Sequence, residues 1–143
     1  MTSVLIDTII IIDVFGPETP FKAWSSQAIL ALKQDAQFIL SPIVWAELAG
    51  MMPGEDVLAQ SLARLNPVRE ALPFTAAYQA GLAHQRYRRA GGQRERTLPD
   101  FLIGAHASVR SHRLLTRNVA RYRSYFPALD IISPETHPDG LHP

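Results

Sequence analysis

Apolar and polar positions fall in short alternating blocks along the 143 residues of this chain. Val4-Leu5-Ile6 runs straight into Asp7, a pattern that reads as a buried strand with a carboxylate at its carboxyl end. On propensity alone the isoleucines at 9–12 extend that strand, until Gly16-Pro17 breaks the pattern. Thr19 with Pro20 makes a cap-and-proline start, and the spacing predicts a helix to about Gln34 with Phe21, Trp24, Ala28 and Ala31 on one face. Phe38-Ile39-Leu40 predicts a second strand. Ser41-Pro42 starts another helix, carrying Val44, Trp45, Glu47 and Leu48 and stopping near residues 50–53.

Glu55 and Asp56 place negative charge in the first turn of the next helix, along which Leu58, Leu62 and Leu65 recur at helical spacing before Asn66-Pro67. Residues 71–74 are a weak strand candidate. Residues 75–90 predict a helix whose buried face is small, Ala76, Ala80, Ala83 and Tyr87, so another helix or a second subunit can approach it closely. Thr97-Leu98-Pro99-Asp100 is a capping box ahead of the apolar run at 101–107. Arg113-Leu114-Leu115-Thr116 predicts a strand, residues 119–126 a helix, and Asp130-Ile131-Ile132-Ser133 a last strand. Strands alternating with helices predict an α/β fold in three layers, α/β/α, around a central parallel sheet of about five strands. Residues 1–133 form one domain. The proline-rich tail at 134–143 is expected to be flexible, with His137 and His142 as tail residues.

Composition narrows the possibilities. A hydrophobic content of 47% fits a single globular domain with an ordinary core. The absence of cysteine excludes disulfides, thiolate metal sites and thiol nucleophiles. With no leader-like segment and no apolar stretch of spanning length, a cytoplasmic protein without membrane contact is expected. Charge is uneven: residues 1–72 set four basic side chains against eight acids, and residues 73–143 set ten arginines against five acids. The arginines at 86, 88 and 89 suit a helix C-terminus, and most of the others suit solvated faces; a localised basic surface is also what an anionic partner needs.

Each candidate residue has an ordinary reading as well as a chemical one. Asp7, with Thr8, caps a turn, or it needs a donor, a cation or a metal to offset burial. Glu47 is either exposed on a polar face or held in a site. Asp100 belongs to a capping box, where the helix N-terminus favours negative charge, and is equally suited to hold a metal. Thr116 or Asn118 caps the helix that follows. In parallel α/β sheets, however, ligands gather at the carboxyl ends of strands. Asp7 and Thr116 end strands, Glu47 follows the end of one, and Asp100 opens the helix leading to another. Their convergence argues for a site where no single residue does.

Four segments carry a family resemblance: Val4-Leu5-Ile6-Asp7-Thr8; Ser41-Pro42 with Glu47-Leu48; Leu98-Pro99-Asp100 with Ile103-Gly104-Ala105-His106-Ala107; and Leu114-Leu115-Thr116-Arg117-Asn118. In this order and spacing they resemble the PIN domain, and more closely the VapC toxins of bacterial toxin–antitoxin pairs, over residues 4–133. The resemblance implies a metal-dependent endoribonuclease in which Asp7, Glu47 and Asp100 hold Mg²⁺ or Mn²⁺, with Asn118 where many members carry a fourth acid. It implies in-line attack of an activated water, leaving a 5′-phosphate and a 3′-hydroxyl. Thr8 and Thr116 are candidates for orienting water or phosphate, and Arg94, Arg96 and Arg117 for phosphate contacts. The implied partners are an RNA substrate, a cognate antitoxin protein and a second copy of the chain.

The chain departs from the family pattern at Ile9, usually a polar residue, at Asn118, and at Arg121, where some members carry an acid. A weaker second metal site is therefore expected. The resemblance also places a short helix directly after Asp7, and we prefer this to the longer strand. Two alternatives are a PIN-fold module that binds RNA or protein with weak or lost cleavage, and a phosphatase of small substrates. The second lacks an Asp-x-Asp nucleophile motif.

Overall fold

Strand β1, Thr2–Ile6, lies at the centre of the sheet because its second half is apolar on both faces: Val4, Leu5 and Ile6 are wholly buried. The computed structural model describes residues 2–92 and 97–141. β2 (Ala36–Leu40) and β4 (Arg113–Leu115) pair with β1 on either side; β3 (Val68–Arg69) joins β2, and β5 (Ile131–Ile132) joins β4. All four pairings are parallel and the order is β3-β2-β1-β4-β5. Helices cover both faces, giving the three-layer α/β/α arrangement expected.

The register sets Leu5 opposite Ile39 and Leu114, and Leu115 opposite both Ile6 and Ile132. Asp7, Ser41, Thr116 and Ser133 therefore line up one residue past the strands, along the carboxyl edge. The Asp7 amide donates to the Leu115 carbonyl at 2.9 Å, and the Thr116 amide to the Ile132 carbonyl at 3.0 Å.

Residues 9–12 are helical. Helix α1, Thr8–Phe15, begins where Asp7 turns to cap it, its Oδ1 accepting from the Thr8 amide at 2.8 Å. The cap overrides the strand propensity of the isoleucines. Helix α2, Lys22–Leu32, starts later than Thr19-Pro20 suggested, and its buried face is Ser25, Ala28, Ile29 and Leu32. Phe21 lies outside the core, 47% exposed. Helix α3, Pro42–Leu48, is capped by Ser41, and α4 is Glu55–Leu62.

Residues 71–74 are not a strand. The edge strand comes earlier, at Val68–Arg69, and Phe74 already begins α5, Phe74–Arg89. The small face of α5 (Ala76, Ala80, Ala83, Tyr87) is buried against α6, Leu98–Val109, so a helix of the same chain fills that role. Phe74 and Tyr78 stay on the outside, 94% and 68% exposed. Helix α7 is Val119–Arg123, shorter than the sequence pattern suggested. Past β5, the Trp24 indole donates to the His137 carbonyl at 2.8 Å, and the Leu141 amide donates to Gln27. No helix among the described residues is long and apolar enough to cross a membrane.

Gly104 lets α6 approach α7 and the residues after it. A Cβ there would lie 2.6 Å from Phe126 Cε2 and 3.0 Å from Tyr122 Cδ1. Replacing an interior helical glycine with alanine ordinarily stabilises by about 0.5–1 kcal/mol. Here the overlap should reverse the sign: we expect Gly104→Ala to destabilise by about 1–3 kcal/mol in chemical denaturation. A gain in stability would show that the rings yield freely.

Candidate metal centre

The strand order reverses across β1 and β4, and that point of an open α/β sheet is where ligands bind. Asp7 sits there, 4% exposed. Besides capping α1, it accepts through Oδ2 from the Thr116 hydroxyl at 2.7 Å and from the Tyr122 hydroxyl at 2.9 Å. Burial raises its pKa above the ordinary carboxylate value, and the nearby charge of Asp100 pushes the same way. The donated hydrogen bonds from Thr116, Tyr122 and Thr8 reduce this rise but do not cancel it. Tyr122 is wholly buried, and its pKa is raised far above normal by burial and by the charges of Asp7 and Asp100, so it keeps its proton and acts as a donor.

Asp100 lies at the third position of α6. Its Oδ2 accepts from the Thr97 amide at 3.0 Å, completing the capping box, and its Oδ1 faces Arg121 Nη1 at 3.3 Å. Glu47, exposed on α3, is tied in by the Thr8 hydroxyl, which donates to its Oε1 at 2.7 Å. Two chains of contact thus connect the acids. Thr8 links Asp7 to Glu47, while Tyr122 and Arg121, neighbours on α7, reach Asp7 and Asp100. Each carboxylate retains oxygen lone pairs beyond these bonds. The set is all hard oxygen, which fits Mg²⁺ or Mn²⁺ and disfavours softer ions.

The other expected site residues are placed differently. Asn118 caps α7, its Oδ1 accepting from the Arg121 amide at 3.2 Å. Thr8 and Thr116 direct their hydroxyl protons at carboxylates. Arg117 grips Asp13 through Nε (2.6 Å) and Nη2 (3.2 Å), with its guanidinium 3.8 Å from the centre of the Phe21 ring. Arg94 and Arg96 lie outside the described residues. Sequence reasoning missed Asp13 and Tyr122. Once 8–15 is read as a helix, Asp13 becomes a buried acid in need of a cation. Tyr122 stands between two arginines and carries no sequence signal of burial.

This is a PIN-like fold. It is the fold of chains in solved bacterial toxin–antitoxin complexes. VapBC2 from Rickettsia felis, solved with a DNA fragment from their promoter, contains a chain with a TM-score of 0.70 at 17% identity, covering 92% of this chain and 98% of that one. VapBC-1 from nontypeable Haemophilus influenzae gives 0.67 at 19%, covering 92% and 98%. A toxin–antitoxin complex from Klebsiella pneumoniae gives 0.62 at 24%, covering 92% and 97%. No family model matches the chain, and no curated protein matches it in sequence.

The raised pKa of Asp7 has a signed consequence. The folded state holds this proton more tightly than the unfolded state does. Its contribution to stability is therefore present below the unfolded carboxylate pKa and is lost as pH rises through the folded value. In EDTA, Asp7→Asn should melt at a higher temperature than the wild type at neutral pH, and the difference should shrink toward acid. Melts over about pH 4 to 8 check this. A neutral-pH loss of stability in the variant would mean that the three donors outweigh burial.

Proposed function

We propose that the chain is a metal-dependent endoribonuclease, the toxin of a toxin–antitoxin pair. The observation that carries this reading is the hydrogen-bonded link from Asp7, just past β1, through Thr8 to Glu47 on α3, with the charge of Asp100 on α6 near enough to act on Asp7, at the carboxyl edge of a sheet whose fold recurs in toxin–antitoxin complexes. In this reading the three acids hold the ion, Mg²⁺ or Mn²⁺. When bound, such an ion neutralises charge on a scissile phosphate and makes water nucleophilic at neutral pH.

The chain's own groups supply the positioning. Thr116 and Tyr122 fix the Asp7 carboxylate, and Thr8 fixes Glu47, so the ligand oxygens are held before substrate arrives. Arg121, half-exposed beside Asp100, is placed to meet an RNA phosphate. Arg117 has its guanidinium engaged by Asp13 and serves chiefly to anchor α1 to the end of β4. The proposed partners are RNA, an antitoxin protein whose segment covers the acidic edge, and a second copy of the chain meeting the exposed Phe74 and Tyr78 of α5. A cytoplasmic location suits these partners.

A second reading, a module that binds RNA or protein and cleaves poorly, draws on Arg121. An arginine pairs with Asp100, and the Asn118 carbonyl is engaged as a helix cap, so the second cation position is weak.

Cleavage of a mixed RNA pool with Mn²⁺ tests the first reading. Activity should vanish in EDTA. Loss of a group that merely orients a ligand typically lowers affinity or activity by about 10–100-fold, so Asp7→Asn and Asp100→Asn, which remove ligands, should each lower cleavage by at least about a hundredfold. Cleavage unchanged by Asp100→Asn would overturn the assignment. If the wild type is inactive and Asn118→Asp restores cleavage, the second reading holds.

A further inference from the structure

A second set of ligating side chains lies away from the acidic edge and serves no step above. Glu70 follows β3, His106 sits in the second half of α6, and His112 immediately precedes β4. Oε1 of Glu70 lies 2.8 Å from His106 Nε2 and 2.7 Å from His112 Nε2. His106 is wholly buried and His112 nearly so, while the Glu70 side chain is 18% exposed and leaves a way in from solvent.

Two ring nitrogens converge on one carboxylate oxygen, held either by N–H protons that the rings donate to Glu70 or by a cation that takes their place. The surroundings permit the second. Ser3 Oγ lies 2.6 Å from His112 Nδ1; accepting a proton from that nitrogen leaves the Nε2 lone pair directed at Glu70. Without an ion, His106 Nε2–H donates to Glu70 and its buried Nδ1 has no partner; an ion bound at Nε2 takes that lone pair and leaves the ring proton on Nδ1.

We propose that Glu70, His106 and His112 form a binding site for a divalent transition-metal ion of the Zn²⁺ class, independent of the nuclease reading. Two imidazoles and one carboxylate are a zinc-type donor set, with a fourth position left for water. Bonds of about 2.0–2.2 Å in tetrahedral geometry space the ligand atoms by about 3.3 Å. The Glu70 oxygen reaches that spacing from each ring nitrogen by withdrawing about 0.5 Å, a small rotation for a partly exposed side chain, and the two ring nitrogens, within 4.8 Å of one another, close to it as the ion binds. Arg110, whose Nε lies 3.4 Å from the same oxygen, is 55% exposed and swings to solvent. The donor sets sort the ions: imidazole favours Zn²⁺ here, and oxygen alone favours Mg²⁺ or Mn²⁺ at the acidic edge. A bound ion clips the end of β3 to α6 and to the start of β4. His106 lies six positions after Asp100 on α6, so the clip braces the helix that carries an acid of the other site.

The test titrates Zn²⁺ into the metal-stripped full chain against a chromophoric chelator, in wild type, Asp100→Asn, Glu70→Gln and His112→Ala, each checked for fold by circular dichroism. We expect one tight equivalent, kept in Asp100→Asn and weakened at least about a hundredfold in the other two, with a Zn²⁺-dependent rise in Tm only where it is kept. Ser3→Ala should weaken it about 10–100-fold. Glu70→Gln preserves shape if His112→Ala disturbs folding, and X-ray absorption of Zn²⁺-loaded Asp100→Asn should carry imidazole scattering. The absence of a tight equivalent in the wild type overturns the proposal. So does Zn²⁺ binding that survives Glu70→Gln but not Asp100→Asn, or a bound ion without imidazole scattering.

Discussion

One buried carboxylate ties the strand layer to the helices around it. Asp7 ends β1, caps α1, and accepts from β4's last neighbour and from α7. Three donors surround two largely buried oxygens. Removing any one donor leaves the charge less compensated, and replacing the carboxylate by an amide trades weaker acceptance for relief of the buried charge. The path of the chain between residues 6 and 8 follows from that requirement. A residue without an acceptor at position 7 would let the isoleucines continue as strand, and the carboxyl edge would lose its order.

The same economy of contacts explains why stability and chemistry conflict here. Burial works against the ionised form of Asp7, the form that the proposed cation would need. Around it the protein sets donors that orient and partly offset the charge. Asp100 and Glu47 sit in milder settings, one at a helix N-terminus and one near solvent. The most buried of the three acids accepts the most hydrogen bonds, and the exposed one hangs from a single hydroxyl.

Much of this was legible in the residues. The apolar runs at 4–6, 38–40 and 114–115 located the inner strands, and the alternation with helices fixed their parallel sense. The capping box at 97–100 and the Ser41-Pro42 start held as read. What failed was decided by tertiary contact. Propensity at 9–12 yielded to a cap, a two-residue edge strand at Val68–Arg69 was too short to show a period, and the small face of α5 did not reveal which surface would cover it. The candidate acids stood out in the sequence because a carboxylate after an apolar run, as at Asp7, is conspicuous. The groups that orient them did not, because a tyrosine between arginines and an aspartate after four isoleucines look ordinary until the backbone brings them together.

The parallel topology also has a temporal side. β1 is made early, but its partner β4 begins only at Arg113, and the bond from Thr116 to Asp7 spans 109 residues. Local helices form without waiting; this central pairing does not. On a ribosome, the carboxyl edge that carries the candidate acids stays unassembled until the last third of the chain is being translated. Whatever chemistry that edge performs is thereby absent for most of the chain's own synthesis.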